Sequence, residues 1–177
     1  MKIKLILAVA FVLAGVLAGC GPSGGQRSGP TTAADNAACA LIGDGGEIFG
    51  AGASHFGYPG IDAFAGSCEF NSADGRRGGE IILYTPESLH GVSPQAQMQI
   101  VTTAWDSQTQ TPLTSVEGLG DASQMAVDLP GYQTQIAFRK GGSLVLVSAR
   151  SGDEAMTGEQ IARAMATTAA GNLAAAH

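Results

Sequence analysis

The chain has 177 residues, of which 26 are glycine and only 14% are charged. Fifteen acidic residues against nine basic ones give a formal net charge of −6. That balance argues against nucleic acid as a partner, because its phosphates would repel the chain, and against electrostatic docking on anionic lipid.

The first element in chain order is a leader. Lys2 and Lys4 form a short positive start, and Leu5 to Ala18 follow without a charge. This run falls short of the about 20 apolar residues a spanning helix needs, and it has the order of a secretory signal. Leu17-Ala18-Gly19-Cys20 resembles the lipobox of bacterial lipoproteins. The resemblance implies that residues 1–19 are removed and that a diacylglyceryl group is attached to the Cys20 thiol. The membrane is then a partner through that anchor, and the protein lies in the cell envelope, facing the periplasm or the exterior. Gly21 stands where an aspartate retains Gram-negative lipoproteins at the inner membrane, so the resemblance favours the outer membrane in such a host. One acyl chain binds a bilayer reversibly, whereas two hold it stably. Loss of Lys2 and Lys4 with the leader leaves 7 basic against 15 acidic residues, a net charge of −8.

Residues 21–35, GPSGGQRSGPTTAAD, have the composition of a flexible tether, so 20–35 is expected to hold the domain clear of the headgroups. Residues 36–177 are enough for one α+β domain with one core, and no internal repeat stands out. Cys39 and Cys68 remain as an even pair in an oxidising compartment and are expected to form a disulfide. A redox pair or metal site is the alternative, but CxxC is absent and neither cysteine has a second ligand at metal spacing. No metal and no cofactor are expected.

Within the domain, Asp44 to Phe49 predicts a short helix that buries Ile48 and Phe49. Residues 50–66, GAGASHFGYPGIDAFAG, read as a long glycine-punctuated loop. Residues 66–71 alternate Cys68 and Phe70 inward against Glu69 and Asn71 outward, which predicts a half-buried strand. ADGRRGG turns the chain, with Arg76 and Arg77 read as a solvated tip, and EIILYT at 80–85 returns. Ser93 then caps a helix with Pro94 in its first turn, and Met98, Val101 and Trp105 form one apolar face, expected to pack in the core. Strands are predicted at 113–117, 122–128, 132–140 and 143–150, with Gly141-Gly142 making a two-residue hairpin. Asp153-Glu154 reads as a solvated approach to a last helix. Thr157 and Gln160 form its capping box ahead of Ile161, Ala164, Met165 and Thr168. Antiparallel strands with flanking helices make an α+β fold.

The lipobox, a cysteine opening the domain, Cys68-Glu69-Phe70, Gly118-Leu119-Gly120-Asp121-Ala122 and Arg139-Lys140-Gly141-Gly142 follow one another in this order. In this the chain resembles a family of actinobacterial lipoproteins carrying a domain of unknown function, over residues 39–173. The resemblance implies a PsbP-like α/β/α sandwich and brings no catalytic residues with it.

The sequence carries few catalytic motifs. GAGAS at 50–54 echoes a dinucleotide fingerprint, but no strand is predicted before it and His55 stands at its third glycine. G-x-S-x-G, P-loop and H-E-x-x-H motifs are absent. His55, His90 and His177 follow no pattern, and neither Ser54 nor Ser88 is singled out as a nucleophile. The 50–66 region is the candidate site. His55, Phe56 and Tyr58 are its candidate contacts with a ligand or partner, set against a plainer reading in which the aromatics plug one end of the core. The function read from all this is a non-enzymatic envelope lipoprotein that binds an apolar small ligand or another envelope protein. The alternative is an envelope hydrolase whose active site is assembled in space.

Overall fold

The computed structural model describes residues 36–61 and 63–175. The leader, Cys20, the 20–35 tether and His177 lie outside the described residues. Among those described, no helix is long and apolar enough to cross a membrane.

Six strands form one sheet: β1 (Ser54–Ile61), β2 (Phe64–Asn71), β3 (Arg77–Tyr84), β4 (Ala122–Val127), β5 (Thr134–Lys140) and β6 (Ser143–Ser151). Their spatial order is β1-β2-β3-β6-β5-β4, and every neighbouring pair is antiparallel. Helices α1 (Ala37–Ala40), α2 (Gly46–Phe49) and α4 (Gly158–Ala175) pack on one face, and α3 (Pro94–Asp106) packs on the other. The fold is α+β, an antiparallel sheet with flanking helices.

Period-two alternation divides the core between the two faces. Ile136, Phe138, Val145 and Val147 point toward α4, while Ala137 and Leu144, one residue out of phase, point toward α3. Gly141 and Gly142 take φ of 57° and 80°, the left-handed conformations that a two-residue hairpin needs between Lys140 and Ser143. α4 starts on the predicted capping box. The Gln160 amide donates to Thr157 Oγ1 at 3.2 Å, and Gln160 Oε1 accepts from the Thr157 amide at 2.8 Å. Its buried stripe combines Ile161 and Met165 with Ala162, Ala166, Ala169 and Ala170, small enough to let the helix lie close on the sheet. Burying a side chain the size of Ile161 or Met165 contributes about 1.5–3 kcal/mol. On the other face Ser93 Oγ accepts from the Ala96 amide at 3.1 Å, and Met98, Val101 and Trp105 pack over Ala126, Ala137 and Leu144. The stripe on α3 is core packing.

Four local expectations need correction. Of the expected 50–66 loop, Ser54–Ile61 is strand β1 and residues 64–66 begin β2, leaving a turn at 50–53. Its glycines obscured the strand, and Gly57 shows why one is there: a Cβ at that position would lie 2.9 Å from Cys39 Sγ. The expected strand at 113–117 is a single bridge, Thr114 to Met125, next to a loop tied by Ser123 Oγ to the Val116 backbone. Arg77 is not at a solvated tip. It opens β3 and reaches under α2, donating to the Ile48 carbonyl at 3.1 Å with Nε 3.7 Å from the Asp153 carboxylate. Asp153 is therefore half-buried against Arg77 rather than solvated. Sequence reading also missed α1, whose cap Asn36 accepts from the Ala38 and Cys39 amides.

Candidate functional site

Each predicted site residue that falls in the described part has a definite place. Cys39 and Cys68 are bonded, with S–S 2.07 Å and Cα–Cα 5.0 Å, and both are buried. The bridge fixes α1 onto β2. His55, Phe56 and Tyr58 are consecutive or nearly so, yet alternation splits them. His55 pairs with Phe70 in register and stacks on it from the helical face, ring centroids 5.7 Å apart, where it is half-buried. Phe56 and Tyr58 project from the opposite face and are 50% and 48% exposed. The structure therefore does not bring the three together, and the two aromatics are not in the core.

Among the described residues, no helix packs on the part of the sheet face they occupy. α3 covers the same face over β4, β5 and β6, where Ala126, Ala137 and Leu144 meet Met98 and Trp105. Over β1, β2 and the Glu80–Ile82 part of β3, no helix among the described residues packs on that side, while Tyr84 at the end of β3 packs against the α3 cluster. Register fixes the rows on this side of the sheet, in which Ser67, Ser148 and Ala137 are buried. One row across five strands reads Phe56, Glu69, Glu80, Ser148, Gln135, and the next reads Tyr58, Ser67, Ile82, Leu146, Ala137. Glu69 and Glu80 are thus direct cross-strand partners, a like-charge pairing that destabilises a sheet.

The surroundings of this pair are ordered. The Tyr132 hydroxyl, from the β4–β5 connection, donates to Glu80 Oε2 at 3.3 Å. Asn71 donates to Glu69 Oε1 at 3.3 Å, and Arg150 in turn donates to Asn71 Oδ1 at 3.2 Å. Gln135 donates to Ser148 Oγ at 3.0 Å. Burial holds the Glu80 carboxyl above its ordinary pKa; the Tyr132 hydrogen bond opposes that shift and the Glu69 charge adds to it. Tyr132 and Tyr84 are both raised as well, chiefly by burial and then by the Glu80 charge. The face therefore offers aromatic contact area beside two carboxylates that lack a cationic partner at ion-pair distance among the described residues.

Sequence reading missed Glu69, Glu80 and Tyr132 as a group. A signal for the first two existed: folding residues 66–71 back onto 78–83 about the 72–76 turn sets Glu69 opposite Glu80. Nothing local foretold Tyr132, which arrives from 52 residues away.

Elsewhere, Ser88 Oγ is spent on the Thr85 backbone. Neither His55 nor His90 makes a side-chain hydrogen bond to a serine or a carboxylate among the described residues. No cluster of three or more His, Cys, Asp or Glu suited to a metal occurs among those residues. A cleft of about 380 Å³ lies on the helical side, between Ile42, Asp44, Glu47 and Thr168, away from the aromatic face. No protein family, curated protein or solved structure matches the chain.

Proposed function

We propose that this chain is a lipid-anchored protein of the cell envelope whose domain is a non-enzymatic interaction module, docking an envelope protein on the bare half of its sheet. The observation that carries the docking surface is the row Phe56-Glu69-Glu80 with Tyr58 beside it, uncovered by any helix among the described residues. Small-molecule sites are concave and enclose most of their ligand. Phe56 and Tyr58 stand about half exposed on a sheet face, which favours an extended protein segment over a small apolar ligand. Aromatic rings supply the contact area typical of interfaces, and two unpaired carboxylates favour a segment with basic side chains. The anchor rests on the lipobox ending at Cys20, and its resemblance to bacterial lipoproteins supports the envelope location.

A photo-crosslinking residue placed at position 56, with position 100 on the outer face of α3 as control, tests the docking surface in intact cells. The expected result is a discrete adduct from position 56 that Glu69→Ala and Glu80→Ala weaken, and no such adduct from position 100. Identical products from both positions, or none from position 56, would overturn it.

A further inference from the structure

Among the described residues, Arg77 is the side chain with a buried donor left over. A guanidinium carries more N–H donors than any other side chain and no acceptor. Nη1 donates to the Ile48 carbonyl at 3.1 Å, and the Asp153 carboxylate stands 3.7 Å from Nε. Nε itself is buried and finds no hydrogen-bond acceptor among those residues. Nη2 lies against the end of α2, where a Cβ on Gly50 would come within 3.2 Å of it. The remaining neighbour is a sulfur, since Nη1 also points at Met156 Sδ, 3.9 Å away. A thioether is a weak acceptor, so the donors of this arginine outnumber the strong acceptors around it.

Met156 differs from the other methionines of the domain. Met98, Met125 and Met165 are 7%, 5% and 0% exposed, inside the cores of the two faces. Met156 is half-buried on the connection between β6 and α4, where it packs against the α4-side core. It is therefore the methionine of the described residues that solvent reaches. Cys39 and Cys68 are bonded to each other, so neither offers a thiol that would compete for an oxidant.

We propose that Met156 is a site of reversible oxidation by peroxides, and that Arg77 holds the product. A sulfur lone pair attacks one oxygen of hydrogen peroxide. The S–O bond forms as the O–O bond breaks, the proton passes to the departing oxygen, and water leaves. Sulfur gives up a pair of electrons and the peroxide takes them. Oxidation ordinarily harms a packed methionine, because a flexible apolar side chain becomes polar. Here the sulfur already faces a guanidinium donor, and an unbranched side chain can turn its new oxygen toward Nη1. A charge-assisted hydrogen bond then replaces a weak contact. That bond joins the connection before α4 to Arg77 on β3, and through Arg77 to Ile48 on α2. The joint is tightened rather than disrupted. Sulfoxide reductases return the sulfoxide to the thioether, which makes the modification reversible. Neither the lipid anchor nor the docking surface is needed for it.

The test exposes the purified protein to dilute hydrogen peroxide, quenches with free methionine, and maps oxygen uptake by peptide mass spectrometry. Met156 is expected to gain one oxygen several-fold faster than Met98, Met125 and Met165, and methionine sulfoxide reductase to remove it. Protein oxidised at Met156 alone should keep the urea midpoint of untreated protein or exceed it, and the side-chain nitrogen resonances of Arg77 should shift. Met156→Gln, which offers Arg77 a carbonyl oxygen without any oxidant, should likewise keep the parent's midpoint. Uptake spread evenly over the mapped methionines would overturn the site. Selective uptake at Met156 with a lowered midpoint and unmoved Arg77 resonances would overturn the part given to Arg77.

Discussion

Phe70 and Phe56 lie on adjacent strands, one residue out of register, and point to opposite faces. Truncating each to alanine in separate proteins measures whether the β1 aromatics are core or surface. Phe70 is fully buried, stacked on Phe49 with centroids 5.6 Å apart and on His55 from the other side. Removing it leaves a cavity among close-packed rings and should cost about 3–5 kcal/mol. Phe56 keeps half of its surface in water. Burying a whole Phe is worth about 1.5–3 kcal/mol, so losing a half-buried ring with no enclosed cavity should cost about 1.5 kcal/mol or less. Urea denaturation followed by circular dichroism resolves the two. At a slope of about 2 kcal/mol per molar, Phe70→Ala shifts the midpoint by about 2 M and Phe56→Ala by about 0.75 M or less. A loss of 3 kcal/mol or more for Phe56→Ala (an order-of-magnitude bound, about the lower limit for a core Phe) would show that the ring is core, and the bare face would not exist.

Replacing Cys39 and Cys68 together by alanine opens a loop with a sequence separation of 29. The chain-entropy account gives a loss of about 3.6 kcal/mol for that loop, and a denaturation midpoint that barely moves would contradict it. Glu80 gives a pH signature. Its folded pKa is raised, so the folded state holds the proton more tightly than the unfolded chain. Its contribution is then complete below the ordinary glutamate pKa and is lost as pH rises through the raised folded value. Glu80→Gln should therefore gain stability relative to the parent across that window, and a constant difference at all pH values would refute the assignment. By the same reasoning Glu69→Gln should lower the Glu80 pKa and Tyr132→Phe should raise it, readable from carboxyl carbon shifts by NMR. For the anchor, Cys20→Ser should abolish incorporation of labelled fatty acid and leave the leader uncleaved; a mutant still labelled and trimmed at the same point would refute the lipobox reading.

Much of this fold is legible locally, and the reason differs by element. Alternation at Ile136 to Phe138 and Val145 to Val147, the paired glycines 141 and 142, and the Thr157–Gln160 box each act within a few residues, so the sequence displays them directly. Strand β1 is different. SHFGYPGI alternates, but Gly57 occupies a place where an apolar residue would have marked the inward face, and the reason lies under the strand in Cys39 and Asn36. The candidate site fails in the same way. Phe56 and Tyr58 are visible as aromatics in a suspicious region, whereas separating His55 from them requires knowing that the region is a strand. Tyr132 meets Glu80 only because β5 returns beside β6 and β6 beside β3. Arg77 looked like a turn cation because its carbonyl and carboxylate partners, Ile48 and Asp153, are distant in sequence.

Hydroxyl-radical footprinting of Phe56, compared between intact envelopes and the detergent-purified protein, tests most directly whether the bare half of the sheet is occupied in the cell. Ile100 on α3 serves as the internal reference, being similarly exposed and remote from the face. The docking account predicts that Phe56 oxidises several-fold more slowly in envelopes than after purification, while Ile100 is unchanged. Equal oxidation of Phe56 in the two preparations would mean that nothing covers the face, and would contradict the account at its centre.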